Sequence, residues 1–225
     1  MGAGSLALLD YRRQVAAHYR DVRESTASPE DRWLRWRRQR DLLFQGHSQS
    51  PLNESDAASF NGLSYFDFNP ELRFEVEIER VEGDELQVDL AQDGLLHLQP
   101  LGRVAFRLDD EAARLMVYWL TGYGGGLFLP FRDRTNGKGS YAGGRYLLDT
   151  VKGADLGGSE DRLILDFNYA YNPSCAYDDH WHCPLPPADN WLEYEIQAGE
   201  KDFNGGRVEE PDPTAIPRPA GKDPD

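Results

Sequence analysis

The chain is poor in the residues that usually announce chemistry or location. Its 225 residues include two Cys, two Met and four Lys. Nowhere do apolar residues run on for the roughly 18 positions that a membrane-crossing helix needs. The stretch from Met1 to Asp10 has no basic n-region, and its apolar residues meet Asp10, Arg12 and Arg13 before reaching secretory length. The expectation is an unprocessed, cytoplasmic protein. Basic residues are also in deficit, 24 Lys and Arg against 39 Asp and Glu, for a formal net charge of −15. Phosphate backbones are bound mainly by the Lys and Arg that neutralise them, so neither nucleic acid nor an anionic membrane is an expected partner. The length suits one domain, or one with an appendage, and can bury a sizeable core.

The acidity is unevenly spread. Residues 1–50 carry nine Arg against six acids, for +3, so residues 51–225 carry −15 − 3 = −18. A basic helical segment lying on an acidic body is the expected arrangement. Leu8, Tyr11, Val15, Tyr19 and Val22 recur at helical spacing up to about Glu24. Ser28-Pro29-Glu30-Asp31 then combines an N-cap, a Pro at the first helical position and acids in the first turn. The stripe Trp33, Trp36, Arg40, Leu43 and Phe44 follows, and Gly46 can end the helix. Residues 1–48 therefore form an N-terminal helical segment, with its two Trp as core anchors.

From Phe74 the period changes to two. Phe74, Val76 and Ile78 alternate with Glu75, Glu77 and Glu79, the mark of a strand with one wet face. Similar runs follow at 86–90, 95–98, 102–108, 114–120, 127–131, 144–148, 163–167 and 191–196, separated by Gly, Asp and Asn turns. Nothing between them is long enough for a crossover helix. The fold class is thus mainly β, an antiparallel meander of about eight or nine strands over residues 60–201, forming a closed or nearly closed β-barrel. A sandwich is the runner-up. Residues 202–225, with five Pro, three Gly and six acids, read as a disordered tail.

Residues 122–201 carry the unusual chemistry. Gly122-Tyr-Gly-Gly-Gly126 lacks the Gly-Lys-Ser/Thr ending of a phosphate loop, so its glycines read as strand corners. The polar residues Arg132, Asp133, Thr135, Arg145, Asp166, Asn168 and Asn172, with Phe131, Tyr141, Tyr146 and Tyr171 as walls, make a candidate ligand pocket from the 131–146 and 166–183 loops. An internal Arg–Asp network that satisfies buried loop ends would use the same residues. For Cys175 and Cys183 three readings stand open: a loop-closing disulfide, a metal site with His180 and His182, or free packed thiols. The two His and Cys183 lie too close in sequence for the usual paired knuckles of a zinc site. The same Cys and His are the residue types of a thiol nucleophile, with Asp166 as a further catalytic candidate.

The motifs Trp36-Arg-Arg-Gln-Arg-Asp41, Gly62-Leu-Ser-Tyr-Phe66, Leu127-Phe-Leu-Pro-Phe-Arg-Asp133, Gly144-Arg-Tyr-Leu147, Leu165-Asp-Phe-Asn168, Ala170-Tyr-Asn-Pro173, Cys183-Pro-Leu-Pro-Pro187 and Ala198-Gly-Glu-Lys201 resemble a bacterial and archaeal family, DUF1684, over about residues 30–201. The family is one of unknown function, so the resemblance implies membership without an activity, substrate or catalytic residue. Both Cys belong to its pattern, whereas His180 and His182 fall in its variable stretch, which favours the Cys pair over the four-ligand metal site.

The expected function is small-molecule binding, with Arg132 and Arg145 meeting an anionic ligand group. The alternatives are a hydrolase or thiol-dependent enzyme on the same site, or a structural module. The sequence leaves any cofactor unknown, and a homo-oligomer is compatible with it but not demanded by it.

Overall fold

The computed structural model describes residues 3–203 apart from 92–93 and 109–110. The expected tail therefore falls almost wholly outside the described residues. Helix α1 (Ala3–Glu24) and helix α2 (Pro29–Gly46) form the predicted basic segment. The Ser28 hydroxyl accepts from the Asp31 N–H at 3.1 Å, so the cap read in the sequence is made. A short third helix, α3 (Glu54–Ser59), for which the sequence carries no expectation, follows, capped by Asn53.

Seven strands follow: β1 (Arg73–Arg80), β2 (Leu86–Asp89), β3 (Leu95–Leu108), β4 (Glu111–Leu120), β5 (Gly126–Phe131), β6 (Arg145–Asp149) and β7 (Arg162–Asp166). All pair antiparallel in one sheet of order β6-β5-β4-β3-β1-β7, with β2 on β3. The sheet is a curled half-barrel. β6 and β7 stand at its two ends and do not pair, so the expected closure of eight or nine strands into a barrel is not what the ladder forms.

Two differences account for the strand count. Residues 95–98 and 102–108 belong to a single strand, because the Pro100–Gly102 interruption is a bulge in register with β4 rather than a turn. A Cβ at Gly102 would lie 2.6 Å from the Glu79 carbonyl oxygen, so only glycine lets β1 approach there. The alternating run 191–196 bends at residues 193–194 and joins no ladder. It touches the chain after β5 through an isolated parallel bridge between Arg132 and Trp191, supported by Leu192 N–H to Arg132 O at 2.8 Å and Arg134 N–H to Tyr194 O at 2.9 Å.

Alternation sorts β4 between two cores. Leu115 and Val117 face the inside of the curl with Val104, Phe106, Leu129, Leu147 and Leu165. Met116 and Tyr118 face the other way, with Leu98, Phe128 and Tyr146. The strap 190–200 runs across the open side of the half-barrel and inserts Leu192, Ile196 and Ala198 into the inner core. The helices add a third core, in which Tyr19, Trp33 and Trp36 meet Tyr65, Tyr169 and Tyr177. Burial of such large rings, at about 25 cal/mol per Å², makes this the main attachment of the helical layer.

Candidate functional site

The residues expected to line one pocket separate into three places. The first is the mouth of the half-barrel. Asp133 and Arg145 are wholly buried there and paired, Nη2 to Oδ2 at 2.7 Å. Asp133 Oδ1 also accepts from the Thr135 N–H at 2.8 Å and the Ile196 N–H at 3.2 Å. The Arg145 guanidinium donates to the carbonyls of Ile196 at 2.9 Å, Glu200 at 3.3 Å and Ala198, with Phe131 against its face at 5.1 Å. This is the internal Arg–Asp network: Arg145 is spent on the strap and has no exposed surface with which to meet a ligand. Arg132 lies over the Trp191 ring at 4.6 Å.

A second buried pair ties the helices to the same strap. Arg40 Nη2 meets Glu200 Oε2 at 2.9 Å, and Arg40 Nε donates to the Tyr65 hydroxyl at 3.1 Å. The Asn172 N–H donates to Glu200 Oε2 at 3.1 Å, and the Tyr177 hydroxyl donates to Glu200 Oε1. The Asn172 side-chain amide donates to the Lys201 carbonyl at 2.8 Å.

The second place is the rim under α2. Asp166 Oδ1 accepts from the Asn168 N–H at 3.1 Å and from its side-chain amide at 2.8 Å. Asn168 exchanges two 2.8 Å bonds with the Asn69 backbone and accepts at its carbonyl from Trp33 Nε1 at 2.9 Å. Burial raises the Asp166 carboxyl above its ordinary range, the Asn168 donors only partly offsetting it. Of these bonds, the one from Trp33 docks α2 on the sheet.

The third place is the loop 172–187. The Cys175 N–H donates to Cys183 Sγ at 3.3 Å, and the Tyr141 hydroxyl donates to Cys175 Sγ at 3.6 Å. The Tyr146 hydroxyl donates to the Pro184 carbonyl at 2.6 Å, and Tyr146 bridges Tyr171 across the edge of β6. Gly144, at φ +95°, lets the chain turn where a Cβ would lie 2.7 Å from both the Phe131 oxygen and Pro186. Both Cys are free thiols. The four-ligand metal set is not assembled: His180 is on the surface, held by Asp178 at 2.8 Å and by the Trp181 ring, and His182 is exposed. Among the described residues, no three His, Cys, Asp or Glu side chains converge on a metal position.

Beside the mouth lies an open cleft of about 430 Å³, lined by Phe66, Asp67, Thr135, Lys138, Gly139, Glu195, Gln197 and Lys201. Of these only Thr135 was among the candidate ligand residues. Lys201 Nζ stands over the Phe66 ring at 5.0 Å. The cleft's floor is the turn 133–140, held by Asp133 N–H to Asn136 Oδ1 at 2.6 Å and by Thr135 Oγ1 to Ser140 Oγ at 2.7 Å. Lys201 ends the Ala198-Gly-Glu-Lys201 motif, whereas the scarcity of lysine was the one sequence signal for Lys138.

With this geometry in place, the chain can be set beside known proteins. The model of a protein family of unknown function, DUF1684, matches residues 58–201, and the chain belongs to that family. The matched span begins after α2, so the Trp36–Asp41 part of the resemblance lies before it. A solution NMR structure of an uncharacterized protein from Haloarcula marismortui is 38% identical, over 73% of this chain and 89% of that one, with a TM-score of 0.55. No curated protein matches.

Proposed function

We propose that the cleft between Phe66 and the 135–139 turn binds a small, highly polar metabolite carrying an anionic group and hydrogen-bond donors. The observation that supports this reading is the convergence of Lys138 and Lys201. They are two of only four lysines in the chain, and neither forms a salt bridge among the described residues. Lys152, by contrast, is tied to Asp149. The volume is within the range of small-ligand sites, roughly 300 to 1,000 Å³. Asp67 and Glu195 balance the two cations, which favours a ligand with donors of its own over a simple polyanion. Phe66 supplies the apolar wall. In this reading Arg145 works beneath the ligand, holding Asp133 and the Thr135 turn in place.

Amide NMR spectra recorded while titrating small hydroxy- and amino-carboxylates and phosphate monoesters test the proposal. Saturable shifts should be confined to residues 66–67, 135–139, 195–197 and 201. Lys201→Ala should weaken binding roughly tenfold, about 1.4 kcal/mol, with the melting temperature unchanged. Shifts centred elsewhere, or no saturation into the millimolar range, would overturn it.

A further inference from the structure

The chain's only two Cys sit at the ends of one loop, eight positions apart, both half-buried and both unoxidised. Their surroundings are unequal. Cys183 Sγ receives the Cys175 N–H at 3.3 Å, an amide contact that favours a sulfur anion. Cys175 Sγ accepts only the longer and weaker bond from the Tyr141 hydroxyl, at 3.6 Å, which favours an anion there less, in a wall completed by Tyr146 and Pro184. The asymmetry appears in the acidities as well. The neighbouring Cys175 thiol, helped by the backbone N–H groups of Cys175 and Ser174 and by Lys152, lowers Cys183 below the ordinary thiol value, against the cost of burial. Cys175 is raised, by Cys183 first and by burial second. One thiolate beside one thiol is the arrangement that two-step oxidation requires. Exposed His180 and His182 leave the loop's outer side open to solvent, while half-burial restricts access to small reagents.

We infer that Cys175 and Cys183 form a redox-active dithiol that reduces a small peroxide, with Cys183 as the attacking sulfur and Cys175 as the resolving one. In the first step the Cys183 thiolate attacks one peroxide oxygen and the O–O bond breaks. A Cys183 sulfenic acid forms, and the departing oxygen leaves as water after taking the Cys175 thiol proton. In the second step the Cys175 thiolate attacks Cys183 Sγ, the S–O bond breaks, and hydroxide departs as the disulfide closes. The two sulfurs together lose two electrons and the peroxide gains them. This site is separate from the lysine cleft, and neither proposal depends on the other.

The test uses the full chain with hydrogen peroxide. The intact mass should fall by two hydrogen atoms, with residues 175 and 183 linked in the peptide map, and dithiothreitol should restore the original mass. In Cys175→Ser the reaction should stop at a sulfenic acid that dimedone traps on residue 183. Cys183→Ser should consume peroxide at least roughly tenfold more slowly than the parent. Alkylation of the unmodified protein near neutral pH needs no variant, and should label Cys183 roughly tenfold faster than Cys175. Faster labelling of Cys175, a Cys183→Ser variant as reactive as the parent, or peroxide treatment that yields no intramolecular disulfide would each overturn the proposal.

Discussion

Asp133 and Asp166 are both buried aspartates, yet they sit in opposite chemical settings. Asp133 at the mouth of the half-barrel faces a guanidinium that is itself fixed by strap carbonyls. Asp166 at the rim accepts from the amide donors of Asn168, with Arg73 and Arg32 acting on it only at a distance, and forms no salt bridge among the described residues. The first charge is part of the adhesive that holds the strap. The second is a burden that the local turn tolerates because its oxygen caps residues 167–169. Burial alone therefore says little about what a charge does; the partners decide.

The contrast can be broken most severely at the mouth. Arg145→Met should destabilise by about 3–5 kcal/mol, because it strands Asp133 and the strap carbonyls together. Thermal unfolding should show a fall of about 10 °C or more. A loss below about 1 kcal/mol would mean that the strap is held by Leu192, Ile196 and Ala198 alone. At the rim, Trp33→Phe keeps an aromatic ring but removes both the donor to the Asn168 carbonyl and the indole's second ring, and should cost about 2–3 kcal/mol in denaturant unfolding. The smallest effect belongs to Asp166→Asn, and its signature is pH. The carboxyl is raised in the folded state, so its contribution to stability is fully present below the ordinary value near 3.8 and is lost as pH rises through the folded value. The variant should gain on the parent as the pH rises from 4 to 8. Parallel stability curves for the two proteins would show that Asp166 carries no such burden.

How much of this was legible depended on the range of the interaction. The Ser28–Pro29 helix start and the Phe74–Glu79 alternation are local, and both stand as read. Pro100 and Gly102 are strand breakers by type, yet pairing with β4 carries β3 through them as a bulge, so two expected strands are one. The alternation of 191–196 is real, since Leu192 and Ile196 point into the core, but no ladder strand accompanies it. At the site, Asp133 and Arg145 were recognisable as polar partners. Their lock was not, because Arg145 meets main-chain oxygens 51 to 55 positions away, and carbonyls leave no trace in a sequence. Lys201 was invisible as a cleft residue for the same reason: a turn at 135–139 and a strap at 195–201 meet only in three dimensions.

The Arg40–Glu200 pair has a consequence in time. Its partners are separated by 160 positions, and the Trp33 donor and the Asn168 carbonyl by 135. At roughly 5–20 residues per second, the helical hairpin emerges from the ribosome on the order of ten seconds before residue 200 does. Throughout that interval Trp33 and Trp36 have no Tyr65–Tyr169–Tyr177 surface complete enough to bury them. The helices that begin the chain are thus among the last pieces to dock, and the nascent protein must be shielded by other means until its strap arrives.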